Sequence, residues 1–490
     1  MLRVALSLAL SLIAHLVPPW LPIWPPPTMT DIASRADAPR ALPAHPAHLP
    51  HAARRAALAC MATLAAALGI GRFAFTPLLP LMLHGGALDL RHGGWLASLN
   101  YAGYFVGAVG CVALRFAPAR IVRAGLAATA LLTVAMGLTH AFWIWAVVRF
   151  VAGAVSAATF VFASQWGLRR LAQLGANEWG GVIYTGPGVG IVATGLLVSA
   201  AGGLGAQAGW IGFGLICVLI AALVWPVFGD DAREAREAVS NTSAGGRPAA
   251  AATQPAAART AASSAAAQPA ATTVAASSAQ TRDTSNTHNT PEVPSAQTAA
   301  PVSPAHGVRA DAFWLILLYG VPGFGYIITA TFLPVIARHA LPGSVWPDLF
   351  WPMFGIALIV GALSAARLPL HWDNRLMLAA CYVLQALGIA LGIVWPNAMG
   401  FSLGSVLIGL PFTAITLFAM REARLLRGEH AAALMGYATG AYGIGQIAGP
   451  LVAAPLAASS GSFSPSLWLA ALALLAGAAG LVWRAVRSRA

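Results

Sequence analysis

The chain of 490 residues is 58% hydrophobic and 9% charged, with a mean hydropathy of +0.73, whereas a soluble domain carries about 25% charged residues. That deficit excludes an ordinary soluble protein and makes lipid the expected solvent. The net charge of +13 comes from 28 basic residues, all of them arginine. They fall between apolar runs, so they are expected to set membrane orientation, and no nucleic-acid partner is expected.

Residues 1–54 read as an N-terminal extension. Arg3 and the apolar run from Val4 to Val17 resemble a leader or anchor. Cleaved secretion would leave Arg54 and Arg55 outside, against the charge pattern, and Pro18, Pro19 and Pro22 make a further span poor. Met29 is therefore the expected initiator. Twelve later stretches approach the length a crossing helix needs: 56–83, 93–114, 121–140, 141–165, 179–203, 208–228, 312–337, 346–366, 376–396, 398–420, 431–457 and 464–484. Arg54, Arg55, Arg115, Arg120, Arg123, Arg169, Arg170, Arg367, Arg375, Arg421, Arg424, Arg427, Arg484, Arg487 and Arg489 fall on one side of those stretches, and only Arg91 and Arg338 on the other. The asymmetry predicts N-in and C-in termini.

Between the sixth and seventh stretches, residues 229–311 hold Ala, Ser, Thr, Gln and Pro without Leu, Ile, Met or aromatic side chains. Such a segment cannot bury enough apolar surface to offset its ordering entropy and reads as a disordered cytoplasmic linker. It separates one six-helix half, 55–228, from another, 312–486.

The halves repeat each other. Gly69-Ile-Gly71 and Leu79-Pro80 recur as Gly323-Phe-Gly325 and Leu333-Pro334, and Gly107-Ala108 as Gly361-Ala362. Gly153, Phe162 and Ala163 recur as Gly409, Phe418 and Ala419, and Gly188-Val-Gly190 as Gly443-Ile-Gly445. The nearly constant offset across four helix pairs predicts an all-α membrane protein of twelve transmembrane helices in two pseudo-symmetric halves, with a binding site between them. Gly69-Ile-Gly-Arg-Phe-Ala-Phe-Thr-Pro-Leu-Leu-Pro80, Trp95-Leu-Ala-Ser-Leu-Asn-Tyr-Ala-Gly-Tyr104 and the run from Gly436 to Pro450 resemble the signature of the YbfB/YjiJ branch of major facilitator transporters. The resemblance implies a bacterial inner-membrane carrier and says little about its cargo. The loop Arg115-Phe-Ala-Pro-Ala-Arg120 lacks the Asp of the loop motif many such carriers have; the second-half loop keeps Asp373 without the motif spacing. An Asp–Arg gating latch is therefore not expected.

The twelve stretches hold almost no carboxylate, the nearest being Glu178 and Asp348 at helix starts, and no mid-span histidine. Acid–base or nucleophilic catalysis needs such groups to converge, so an enzyme is not expected. Cys60, Cys111, Cys217 and Cys381 sit singly in apolar runs, so neither metal, disulfide nor cofactor is expected. Two arginines lie deep in the membrane: Arg72 roughly 16 Å and Arg149 roughly 12 Å below the outer ends of helices one and four. Each costs about 2.5–3.5 kcal/mol or more to bury. They either hold an anionic cargo in a central cavity or act structurally by bonding helix carbonyls, Asn100 or Tyr104. Arg149-Phe-Val-Ala-Gly153 also resembles the RxxxG motif of proton-coupled exporters.

By the repeat offsets, Tyr326 replaces Arg72 and Ser405 replaces Arg149 in the second half. The candidate substrate-binding residues are thus Arg72, Asn100, Tyr104, Arg149, Tyr326 and Thr329, with Gln385 and Gln446 as further polar candidates. Gly186, Pro187, Gly190, Gly445, Gly449 and Pro450 are candidates for gating or close helix packing; Pro187 is expected to kink helix five. The expected function is secondary active transport of a small organic solute, anionic or amphiphilic, by alternating access. Efflux of hydrophobic drugs and a non-transporting sensor are the alternatives. The expected partners are a small-molecule substrate and the bilayer, with a proton as candidate coupling ion, and the chain is expected to be a monomer.

Overall fold

A computed structural model describes residues 49–229 and 306–487, apart from 87, 112, 115, 366, 369–370 and 429–430. The leader, the Met29 start, Arg115 and nearly all of the linker expected at 229–311 lie outside the described residues. The described chain is a bundle of long helices. We number them α1 (His51–His84), α2 (Leu90–Gly110), α3 (Pro118–Gly137), α4 (Phe142–Gln173), α5 (Asn177–Ala201) and α6 (Gly205–Val224) in the first half. In the second half they are α7 (His306–Ala340), α8 (Pro347–Ala365), α9 (Asn374–Val394), α10 (Ala398–Arg427), α11 (Ala431–Ser460) and α12 (Ser464–Arg487).

Among the described residues, 11 helices are long and apolar enough to cross a membrane. The twelfth, α2, has 21 residues but is diluted by Arg91, His92, Asn100, Tyr101 and Tyr104. Two boundaries differ from expectation. Helix α7 begins at His306, inside the stretch read as linker, and α10 runs on to Arg427. Both extensions carry charge that the bundle pairs. Arg375 at the start of α9 donates to Glu422 of α10 at 2.6 Å and to Asp311 of α7 at 3.1 Å, and Arg484 of α12 also pairs with Asp311. The sequence reading named Glu178 and Asp348 as the carboxylates nearest the stretches; Glu422, just past the stretch 398–420, is a further one, and it is buried. A charge paired in this way no longer has to reach water, so apolarity alone set the boundary too early.

The repeat is a repeat of contacts. A Cβ on Gly190 would come within 2.5 Å of Ala65, and one on the matching Gly445 within 2.5 Å of Gly320. Gly107 meets Ala154 at 2.5 Å, as Gly361 meets Leu410 at 2.0 Å; Gly153 meets Asn100 at 2.0 Å, as Gly409 meets Phe354 at 2.5 Å. In lipid, tail and side chain are equally apolar, so helices associate through close backbone approach at such small residues. Gly186 rests on Met61 and Leu64, Gly190 on Ala65, and Gly449 on Ile327; the carbonyl of Pro450 faces Gly94. Helix α5 is interrupted at Tyr184–Thr185, just ahead of Pro187, whose ring nitrogen cannot donate back to the preceding turn.

The halves meet through α2 against α11, α5 against α8, and the last turns of α1 against α7. Ser98 Oγ donates to the Ile447 carbonyl at 2.8 Å, Thr76 Oγ1 to that of Ala330 at 2.9 Å, and Tyr101 Oη lies 3.0 Å from Thr331 Oγ1. All three bonds sit on the side of Arg72 that carries the C-terminal end of α1.

Candidate functional site

Helix α1 is not one regular helix. Ala65–Ile70 widens to π geometry, residues 71–74 form turns, and regular helix resumes at Phe75. Pro77 explains part of the break. It has no N–H for the Phe73 carbonyl, and the Thr76 N–H takes that carbonyl at 3.2 Å instead. Thr76 is thereby withdrawn from the Arg72 carbonyl, its regular helical acceptor. A freed carbonyl in the membrane interior has no water to turn to.

Arg149 of α4 supplies the donors. Its Nη1 reaches the carbonyls of Gly71 and Arg72 at 3.5 Å each, its Nη2 that of Arg72 at 3.4 Å, and its Nε that of Leu96 at 3.4 Å. Each contact is long, but the guanidinium charge faces all three carbonyls at once. The Phe75 ring lies 4.7 Å from its Cζ, and the side chain is 2% exposed. Asn100 completes the arrangement, its Nδ2 donating to the Arg149 carbonyl at 2.8 Å. Of the two readings of Arg149, the geometry matches the structural one.

Arg72 differs. It projects from the break toward the second half, where its Nη2 donates to Gln446 Oε1 of α11 at 3.0 Å. Gln446 Nε2 in turn donates to Tyr326 Oη of α7. The Tyr104 ring lies 4.1 Å from the Arg72 Cζ, with Tyr101 at 5.0 Å and Phe73 at 5.2 Å. Arg72 is 6% exposed, and its Nε is buried with no hydrogen-bond partner. No carboxylate pairs with it among the described residues. The arrangement can hold a single anionic group by a charge-assisted bond, with aromatic faces beside it.

Five of the six candidate substrate residues therefore converge: Arg72, Asn100, Tyr104, Arg149 and Tyr326. Thr329 does not. It lines a small cavity inside the second half with Gly388, Phe401 and Ser405, and its hydroxyl is unpartnered. The sequence reading missed Tyr101 and the consequence of Pro77. Tyr101 stood inside a quoted motif, three residues before Tyr104 and so on the same helix face. Pro77 would have been found by asking which carbonyl its missing N–H leaves free.

The profile of the family described as "Uncharacterised MFS-type transporter YbfB" matches residues 64–261 and 284–482, one block over each half and each running into the stretch between them. No curated protein sequence matches the chain. Among solved structures, a crystal structure of a mutant of the nucleoside transporter NupG is similar, with a TM-score of 0.59 and 13% sequence identity. The match covers 88% of this chain and 99% of that one. At that identity the likeness shows the fold alone, and it is the fold that the glycine contacts repeat from half to half. With the family's two blocks lying on those two halves, the chain is a member of the YbfB family of major facilitator transporters.

Proposed function

We propose that this transporter carries a small organic anion by secondary active transport, with Arg72 binding the anionic group between halves that rock by alternating access. The observation behind this is a buried, permanently charged guanidinium whose hydrogen-bonding side-chain partner is the neutral Gln446 and whose Nε has no partner. A cation in low dielectric without a counter-charge repels cationic cargo and attracts an anion, which disfavours efflux of lipophilic cations. The arginine distribution supports a bacterial inner membrane with both termini inside. In that orientation the hydrogen bonds between the halves close the outer side of the site. A monomer suffices, since both halves of the site come from one chain. A proton is the candidate coupling ion.

The test is Arg72→Gln. It should reach the membrane at normal abundance, because it removes a burial cost, while anion affinity falls about 10- to 150-fold on loss of a charge-assisted contact. Arg72→Lys should recover part of that, because an ammonium lacks the planar fork. Wild-type anion binding by abundant Arg72→Gln protein would end the proposal.

A further inference from the structure

The contacts around Arg72 form a circuit that crosses between the halves twice. The Tyr101 hydroxyl of α2 lies 3.0 Å from Thr331 Oγ1 of α7, and the Tyr101 ring lies 5.0 Å from the Arg72 Cζ of α1. Arg72 Nη2 donates to Gln446 Oε1 of α11 at 3.0 Å, and Gln446 Nε2 returns the circuit to Tyr326 of α7. Tyr101 therefore touches the candidate anion site with its ring and the outer closure with its hydroxyl. Tyr101 and Thr331 are 4% and 0% exposed, and a hydroxyl left unpaired at such a position is costly. The repeat offers no second copy of this pair. By its offset Tyr101 corresponds to Gly355 and Thr331 to Pro77, and neither of those side chains can hydrogen-bond.

On the premise that Arg72 binds the anion, the two crossings are coupled. The bond from Arg72 to Gln446 joins the halves, so it is made only while they are closed. A carboxylate that takes the Arg72 donors displaces Gln446 and removes that crossing. It also draws the guanidinium from the Tyr101 ring, because a charge-assisted hydrogen bond outweighs a cation–π contact. The disturbance lands beside the outer closure on α11 as well, since Ile447, whose carbonyl accepts from Ser98, directly follows Gln446. We propose that Tyr101 is a gating residue that ties the anion site to the outer closure. In the empty carrier its hydroxyl holds α2 on α7 while its ring steadies Arg72 beside Gln446. Anion binding loosens both, and the loaded carrier opens outward. Anion binding and outer closure thus oppose each other, and by linkage whatever weakens one favours the other.

The test reads the closure and the anion site separately. Ala454 of α11 is buried against Gly94 of α2, on the seam between the halves, and the four native cysteines are buried. In Ala454→Cys protein, the labelling rate with a membrane-impermeant maleimide added outside reports opening of that seam. Without any anion, adding Tyr101→Phe or Thr331→Val should speed labelling about 3- to 10-fold, the equivalent of one neutral hydrogen bond. The two together should add little more, because they remove the same bond. With acetate, lactate and benzoate as probes, at least one should speed labelling of the Ala454→Cys parent, and Arg72→Gln should abolish that effect. The same probe should thermally stabilise purified Tyr101→Phe protein at about 3- to 10-fold lower concentration than wild type. A tyrosine that only packed the bundle would leave that concentration unchanged or higher. Unchanged labelling in both anion-free variants, or a probe that slows labelling, would overturn the gating role and leave the anion site standing. No effect of any of the three carboxylates on labelling or stability would remove the anion reading, and this coupling with it.

Discussion

The first and seventh helices repeat one another in sequence and differ at one turn. In α7 the sequence from His306 to Ala340 stays helical throughout, although it contains Pro322 and Pro334. In α1 the equivalent stretch opens into π geometry and turns around Arg72. By the repeat offset, Pro77 in α1 corresponds to Thr331 in α7, which keeps its backbone N–H. Likewise Arg149 in α4 corresponds to Ser405 in α10, whose hydroxyl turns back to Phe401 of its own helix at 2.8 Å. One half therefore holds a proline that frees a carbonyl together with an arginine that satisfies it. The other holds neither.

The α7 prolines obey the same accounting with cheaper partners. Pro322 leaves the Leu318 carbonyl without its helical donor, and the Tyr382 hydroxyl supplies one at 2.9 Å. Pro334 does the same to Ala330, whose carbonyl accepts from Thr76 of the first half. A neutral hydroxyl serves one carbonyl; a guanidinium serves several and brings a charge with it. The break in α1 is thus larger, and it is where the candidate ligand Arg72 emerges. Breaks that free backbone groups at membrane depth are tolerated only inside protein or along a cavity, and π segments recur at functional sites.

The sharpest way to break this comparison is to remove Arg149. Arg149→Ser, the second-half residue, should leave buried carbonyls without donors at about 1–3 kcal/mol apiece. We expect a loss of stability of roughly 3 kcal/mol and no transport. In a Pro77→Thr background, which restores the missing N–H, the same substitution should cost about 1–2 kcal/mol less. Thermal denaturation of the four proteins of that cycle gives the coupling directly. Strict additivity would mean that the proline and the arginine are unrelated.

A smaller change sharpens the role of Gln446. Gln446→Leu deprives Arg72 and the Tyr326 hydroxyl of their shared partner, at about 1–2 kcal/mol of stability in the empty carrier. Because the cargo then displaces nothing, its affinity should rise by about 5-fold, the equivalent of one modest hydrogen bond. Weaker binding by this variant would show that Gln446 helps hold the anion instead of occupying its place.

Most of the fold was legible because its signals are additive: apolar length and recurring glycines each report a backbone requirement that needs no knowledge of partners. That Arg72 and Arg149 stand within the helical bundle was legible too, since both lie well inside apolar runs. What each arginine does was not, since both are the same residue, buried alike, and differ only in what faces them. Arg72 faces a neutral amide and ring faces; Arg149 faces three carbonyls, one of which, that of Arg72, is free because Pro77 on another helix disturbs the hydrogen-bond ladder. Thr329 stands apart from them by the same logic, since its register on α7 sets it in a small cavity with Ser405 and Phe401.

The halves also differ where their second helices begin. Helix α2 opens on Asp89, whose Oδ1 accepts the His92 N–H at 2.7 Å, whereas the corresponding residue before α8 is Gly343, with φ of 75°, and α8 opens on Pro347. A side-chain cap satisfies one of the four orphan donors at a helix start; a proline at the first helical position removes one instead. That backbone bond from His92 is also the main reason the Asp89 carboxyl titrates below its usual value. Because the folded state lowers the pKa, the cap's contribution is fully present above the unfolded value, about 3.9, and fades as pH falls through the lower folded one. Asp89→Ala should therefore cost about 1 kcal/mol at neutral pH. Asp89→Asn should keep nearly all of the stability, because an amide oxygen caps as well as a carboxylate, while losing the acid-side dependence. Denaturation midpoints of the three proteins at pH 7 and pH 4 decide the matter. If Asn cost as much as Ala, charge would be the operative feature and the local hydrogen bond would not; if Ala cost nothing, α2 would be held by α4 and α11 alone.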